Sequence, residues 1–361
     1  MLEIENNLGK LRQRRGLSAI QLAAFVDVSR QTIYAMEAGT YVPNTALALK
    51  LAKALDSTVE QLFRLSGEDE ARPLRCETAS FLPGAEVPQP GQPVQLCRID
   101  DRLLANAPSP VPWYFPTADA VVSEHRPLPG KAKVQIFQTE DDFSNRILVA
   151  GCDPGISVLA RHVQPAGVEL VLAHRNSSEA LELLKQGSVH IAGTHLKHDG
   201  FPKSALAVIS FAVWEEGIVT AGGNPKSIRA IDDLARRDVS IVNREEGSGC
   251  RALLDSQLRQ AGIPVTKVQG YQRMAGGHLA AAWEVRTGTA DCCIATRAAA
   301  RVFGLGFAPL VSEQYDLVVR KKYLDTPSMQ NLLDTLSRSK FRRELEGLGG
   351  YDARTAGDLK K

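Results

Sequence analysis

Prolines and glycines between residues 67 and 91 (Pro73, Pro83-Gly84, Pro88, Pro90-Gly91) divide this chain before any other feature does. Proline lacks an amide donor and glycine carries a high backbone entropy, so such a stretch sustains neither a helix nor a central strand. It reads as a linker. Before it, residues 4–65 hold one proline, Pro43, and apolar residues at helical spacing, which predicts a compact set of short helices. After it, residues 94–99 and 134–137 alternate as short strands do, interrupted by prolines 108, 110, 112 and 116. From residue 146 onward, apolar runs at 147–150, 168–172 and 189–192 alternate with helical patterns such as 178–186. That rhythm predicts an α/β domain with a mostly parallel sheet. The expected order is an all-α domain at 1–66, a linker with a small β-rich segment at 67–145, and an α/β domain at 146–361.

Charge narrows the function. With 43 Lys and Arg against 41 Asp and Glu, the chain is no polybasic coat, and any affinity for nucleic acid must come from a local surface. The first ten residues lack the basic-then-apolar layout of a secretion signal, and no stretch approaches ~20 uninterrupted apolar residues. The six cysteines (76, 97, 152, 250, 292 and 293) show no Cys-x-x-Cys spacing, which argues against a disulfide framework or a closed zinc site. The expected setting is the cytoplasm, with no membrane, cofactor or metal.

Residues 17–39 carry the most specific local signal. Ser18 and Ser29 are placed to cap successive helices, and Asp27 stands at the turn between them, where a left-handed backbone is required. Leu22, Ala23, Val28, Ile33 and Met36 would pack the pair, with Leu11, Leu47 and Leu51 from neighbouring helices. Arg30, Gln31, Thr32 and Tyr34 then face outward at the start of the second helix, the end that enters a major groove. Residues 8–63 resemble the Cro/repressor (XRE) type of helix-turn-helix. The resemblance implies an Arg12–Glu37 pair, base contacts from Arg30 and Gln31 beside Ser29, Thr32 and Tyr34, and a phosphate contact near Asn44. The glutamine common just after the helix-2 cap in that family is Ala19 here. A purely structural helical bundle is the competing reading.

Five openings in the second half place small or hydroxyl residues where a predicted helix begins: Gly151 to Ser157, with Asp153; Asn176-Ser177-Ser178; Gly193-Thr194-His195; Asn243 to Arg251, with Gly247-Ser248-Gly249-Cys250; and Gly276-Gly277-His278. Free amides and the helix dipole make such places anion sites, and in open α/β sheets ligands bind where these loops converge. Singly, each is an ordinary cap. His174, His190 and His198 read as surface or satisfied core residues.

Residues from about 147 to 358 resemble the periplasmic-binding-protein-like domain found fused to helix-turn-helix modules and to molybdopterin-biosynthesis enzymes. The Gly247-Ser248-Gly249-Cys250-Arg251 loop is similar to the oxyanion-holding loop of phosphate- and tungstate-type binding proteins, with Cys250 in place of threonine, a weaker donor. The resemblance implies a two-lobed, type II α/β domain with hinges near residues 218–224 and 308–317. It also implies a small effector, molybdate or tungstate first among oxyanions, held by Asp153, Ser177, Ser178, Thr194, His195, Ser248, Gly249, Cys250, Arg251 and His278. The whole reads as a sequence-specific regulator that binds a double-stranded DNA operator as a homodimer, and not as an enzyme. Two other readings stay open: a redox or metalloid sensor using Cys292 and Cys293 with Cys152 or Cys250, and an enzyme acting on a small anion. No Gly-x-Ser-x-Gly, His-Glu-x-x-His or P-loop motif supports the last. A third possibility is a scaffold that binds nothing.

Overall fold

The computed structural model describes residues 4–65, 75–85, 87–108, 117–125, 130–137, 143–195 and 205–360. The chain forms two compact units, Met1–Leu74 and Arg75–Lys361.

In the first unit, β1 (Ile4–Asn6) pairs antiparallel with β2 (Phe63–Leu65), and five helices lie between them. These are α1 (Leu8–Arg14), α2 (Ala19–Val26), α3 (Arg30–Glu37), α4 (Thr45–Ala54) and α5 (Val59–Leu62). The caps fall where the residue chemistry places them. Ser18 forms a capping box with Gln21, Ser29 accepts from the Thr32 amide, and Asn44 accepts from the Leu47 amide. Asp27 ends α2 in the left-handed region, at φ 59°. Leu8, Leu22, Ala23, Ile33, Met36 and Leu51 form the core, with Leu11, Val28 and Leu47 half-buried against it.

The second unit opens on a closed barrel. Its strands are β3 (Cys76–Phe81), β4 (Pro93–Ile99), β5 (Arg102–Asn106), β6 (Ala120–His125) and β7 (Lys131–Ile136), in the order β3-β5-β4-β6-β7. Alternation along β4 and β5 serves two cores. Val94, Leu96, Leu103 and Ala105 fill the barrel, while Cys97, Ile99 and Leu104 join the core of the α/β domain. Arg146 bonds the Leu96 carbonyl at 2.9 Å and pairs with Asp119, and Asn106 reaches the Leu172 carbonyl at 3.1 Å. The β-rich segment is thus packed into the α/β unit, where the sequence suggested only a connection.

The α/β domain continues with β8 (Arg146–Gly151), α6 (Ile156–Val163), β9 (Glu169–His174), α7 (Ser177–Lys185), β10 (Ile191–Thr194) and the long β11 (Leu206–Thr220). Next come β12 (Ile241–Arg244), α8 (Gly249–Gln260), β13 (Met274–Ala275), α9 (His278–Arg286), β14 (Cys292–Thr296) and α10 (Arg297–Val302). The chain returns along β15 (Gly306–Arg320) to α11 (Pro327–Ser337), α12 (Ser339–Gly347), β16 (Tyr351–Asp352) and β17 (Leu359–Lys360). The sheet order is β13-β12-β14-β11-β15-β10-β8-β9. Within each lobe the βα units pair in parallel, as the rhythm predicts. Between the lobes run β11 and β15, each 15 residues long and antiparallel to the other from Leu206↔Arg320 to Thr220↔Gly306.

These two strands are the lobe crossings. Residues 216–220 already pair with β14 in the second lobe, so the first crossing lies earlier than the expected 218–224, near Trp214. The second falls inside the expected 308–317. Register shifts at Ser210/Ala212 and Glu216/Gly217 bracket the crossing in β11.

Candidate functional site

On the first unit, the start of α3 presents Arg30, Gln31 and Tyr34 to solvent. No acidic residue lies in its first turn. Ser29 and Thr32 are engaged with each other: the Ser29 oxygen accepts from the Thr32 amide at 3.1 Å, and the two hydroxyls lie 2.9 Å apart. Asn44 is exposed, its side-chain oxygen held as the cap of α4. Arg12 makes two bonds to Glu37, at 2.6 and 3.0 Å, which ties α1 to the end of α3.

On the second unit, the carboxyl ends of β8, β9, β10, β12 and β13 bring the five openings to one crevice between the lobes. From the first lobe come Asp153, Ser177, Thr194 and His195; from the second, Ser248, Gly249, Cys250 and His278. All but His195 are almost wholly buried. Two hydrogen bonds clamp the lobes: Asn176 Nδ2 to the Glu246 carbonyl at 3.2 Å, and Ser178 Oγ to the Gly247 carbonyl at 3.3 Å. Close approach demands glycine here. A Cβ on Gly249 would fall inside the His195 ring, and Gly277 sits at φ +98° against His174.

The interior is polar. Asp153 Oδ1 accepts from the Tyr351 hydroxyl at 2.5 Å and the Gly155 amide at 2.7 Å, while Oδ2 finds no partner among the described residues. Burial pushes this carboxyl up to about 6, against the pull of those two bonds. His195 Nδ1 lies 3.3 Å from the Ser177 hydroxyl; its Nε2 is buried without a partner among the described residues, and burial lowers the ring to about 4. Trp214 packs between His278, at 5.0 Å, and Tyr315, at 4.7 Å, with its Nε1 unpartnered among the described residues. Glu216, on β11, is wholly buried; burial and the neighbouring Glu313 push it up to about 8. Arg244 is buried beside it, held by Glu245 through bonds of 2.9 and 2.8 Å, with Nη1 3.8 Å from Cys250 Sγ.

Two expected ligand residues stand apart from this interior. Arg251 stacks on Tyr271 at 4.2 Å and pairs with Asp255, so its charge is directed along the outer face. Ser178 is exposed at the rim. Together with Glu246, Gly247, Ser248, Ala252 and Asp255 they line an open groove of about 300 Å³. Ser248 caps α8, and its hydroxyl donates to the Glu245 carbonyl at 2.8 Å. Among the residues sequence reasoning missed are Trp214, Glu216, Arg244, Tyr315 and Tyr351. Trp214, Glu216 and Tyr315 come from the lobe crossings and Tyr351 from the C-terminal return, while Arg244 lies inside the opening at residues 243–251 without marking itself as a site residue.

The alternative chemistries fare differently. Cys292 and Cys293 point to opposite faces of the sheet, one into the core with Ile241 and Leu254, the other into that with Val242 and Ala281. Successive strand residues always diverge in this way, so the pair cannot chelate as a dithiol. Burial raises both thiols, Cys293 to about 12. The Ser177–His195 contact lacks a carboxylate partner on the imidazole among the described residues. His190 is a satisfied core histidine, accepting from the Leu148 amide at 3.1 Å, and His198 lies outside the described residues. Among the described residues, no helix is long and apolar enough to cross a membrane.

Residues 8–62 match the helix-turn-helix family HTH_3, and residues 160–337 match a PBP superfamily domain. The chain is 32% identical over 249 residues to protein YvgK of Bacillus subtilis, covering 65% of this chain and 80% of that one. Its first unit is similar to the HTH-type transcriptional regulator YgzD of the same organism, at 42% identity over 66 residues, 18% of this chain and all of that one. Among solved structures, a putative phosphate ABC transporter substrate-binding protein from Clostridium perfringens aligns with a TM-score of 0.46 and 15% identity, over 57% of this chain and 98% of that chain. The chain therefore belongs to the YvgK family of PBP-superfamily proteins and joins to that domain a helix-turn-helix of the HTH_3 type.

Proposed function

We propose that this protein is a transcriptional regulator whose affinity for a DNA operator is set by a small ligand closed between the two lobes of its second unit. One observation carries the reading: helix starts from both lobes meet around buried polar atoms that find no partner among the described residues, namely Asp153 Oδ2, His195 Nε2, Trp214 Nε1 and Glu216 Oε2. A degenerate scaffold would fill that space with hydrocarbon, because each such atom costs about 1–3 kcal/mol. A small effector is admitted beside the packed rings of His195, Trp214, Tyr315 and His278 when β11 and β15 flex and the Asn176 and Ser178 clamps part.

The amide ends of α7, α8 and α9 favour an anion, and molybdate and tungstate are the first oxyanions to try. Holding one on the α8 loop requires the Ser248 hydroxyl to turn away from Glu245. The operator-binding form is a homodimer, in which lobe closure alters the spacing of the two recognition helices. Thermal unfolding of the full chain with molybdate, tungstate, sulfate, phosphate and small organic anions tests this. A binder at 100 times its Kd stabilises by about 2.7 kcal/mol, and the same compound should shift operator affinity. Saturating ligand that leaves operator affinity unchanged would dismiss the coupling.

A further inference from the structure

Three side chains at the base of the crevice meet in a way the anion reading does not use. Cys250 Sγ lies 3.4 Å from Glu216 Oε1 and 3.5 Å from His278 Nδ1, and the three ligand atoms are mutually within 4.8 Å. Each comes from a different element: the lobe crossing β11, the first turn of α8 and the first residue of α9. All three are buried, at 0, 1 and 2% exposure. We propose that Glu216, Cys250 and His278 form a three-ligand site for a zinc-class divalent cation.

The distances carry the argument. Metal–sulfur bonds of about 2.3 Å and metal–nitrogen or metal–oxygen bonds of about 2.0–2.1 Å, set at the tetrahedral angle, give S···N and S···O edges of about 3.5 Å. Both observed separations fall on that value. A divalent cation bound to Glu216 Oε1, Cys250 Sγ and His278 Nδ1 replaces the two sulfur hydrogen bonds with coordinate bonds from the same three atoms.

The surroundings suit it as well. His278 Nε2 faces Cys152 Sγ at 3.9 Å; with the proton on Nε2, Nδ1 turns its lone pair toward Cys250. The Arg244 guanidinium, 3.8 Å from Cys250 Sγ, stabilises the thiolate, while Glu245 balances its charge. On binding, the Cys250 proton leaves to solvent and the sulfur ligates as thiolate. Three protein ligands leave a fourth position for an oxygen from solvent or from a small ligand. The ligands stand 34 and 28 residues apart, which is why the expectation of no metal drew no challenge from the sequence.

The site shares Glu216, Cys250 and His278 with the crevice of the proposed function, and its test separates the two. Chelator-treated full-length protein is titrated with Co2+ and then Zn2+, with no anion added. The expected result is one equivalent of Co2+ per chain, a thiolate-to-cobalt charge-transfer band, release of protons, and loss of the band on adding Zn2+. Cys250→Ser and His278→Gln should abolish the band, Cys152→Ala should weaken binding about tenfold, and Cys97→Ala, in the barrel, should leave it intact. Absence of the band in the wild-type chain, or its persistence in folded Cys250→Ser or His278→Gln, overturns the proposal whatever anions do to the protein.

Discussion

On the recognition helix, Arg30, Gln31 and Tyr34 stand in water with their polar groups uncommitted to structure, while Ser29 and Thr32 bond one another one turn away. In the crevice the arrangement is reversed: Asp153, His195, Trp214 and Glu216 are withdrawn from water, and each leaves one polar atom without a partner among the described residues. An exposed uncommitted group costs folding nothing and awaits an external surface. A buried one lowers stability by about 1–3 kcal/mol, a large share of the ~5–15 kcal/mol that separates folded from unfolded chains. On the proposed function, the first unit offers exposed polar groups to DNA, and a small ligand satisfies the buried polar atoms of the second.

The sharpest test of this contrast is titration of the crevice. Asp153 ionises near 3.8 in an unfolded chain and near 6 when folded, because burial penalises its charge. Between those values the folded form holds the extra proton, so the contribution of Asp153 to stability falls as pH rises from about 4 to 6 and is level above. The size is at most about 3 kcal/mol. Asp153→Asn keeps an oxygen for Tyr351 and removes the titration. Denaturant midpoints at pH 4, 5, 6 and 7 should show wild type losing ground to the variant across that window. A flat difference would mean that the carboxyl is solvated and the crevice open.

The matching test on the other face is Gln31→Ala. It should leave unfolding within about 0.5 kcal/mol of wild type, as an exposed substitution does. It should lower affinity for the preferred base at one operator position by about 2 kcal/mol, roughly thirtyfold. Denaturant unfolding reads the first number, and binding to a panel of single-position operator variants reads the second. Unaltered base preference would make Gln31 a bystander.

The two regions also differ in how far the sequence disclosed them. The helix-turn-helix follows from local chemistry: Ser18 and Ser29 cap, Asp27 takes the left-handed turn, and Ile33 and Met36 repeat at helical spacing. Every partner lies within a few residues or on the next helix. In the crevice, the loops that lead into α6, α7, α8 and α9 were legible as helix starts, and by that Asp153, Ser177, Ser248 and His278 were singled out from the sequence. Glu216, Trp214 and Tyr315 were not, because they lie within two long strands whose apolar runs signal only burial. Tyr351 meets Asp153 across 198 residues, a contact that only the C-terminal return creates. The β-rich segment reads as a connection for a related reason: residues 94–99 alternate, which predicts one wet face, yet the residues of β4 are divided between two cores.

The smallest expected effect falls where the two regions are most alike, at a helix start. Ser29 and Ser177 both begin helices, but Ser29 is exposed and its oxygen holds the Thr32 amide, whereas Ser177 is buried against His195. If Ser29 is a cap, Ser29→Ala should cost about 1 kcal/mol of first-unit stability, read as a lower unfolding midpoint. Ser29→Asp should restore that stability, since a carboxylate caps as well and suits the positive end of α3. On DNA the same aspartate places a negative charge near the phosphates, so operator binding should weaken although the fold is repaired. Parallel loss and recovery of stability and binding would assign Ser29 to the fold alone. Repaired stability with binding still impaired would place it against the DNA backbone.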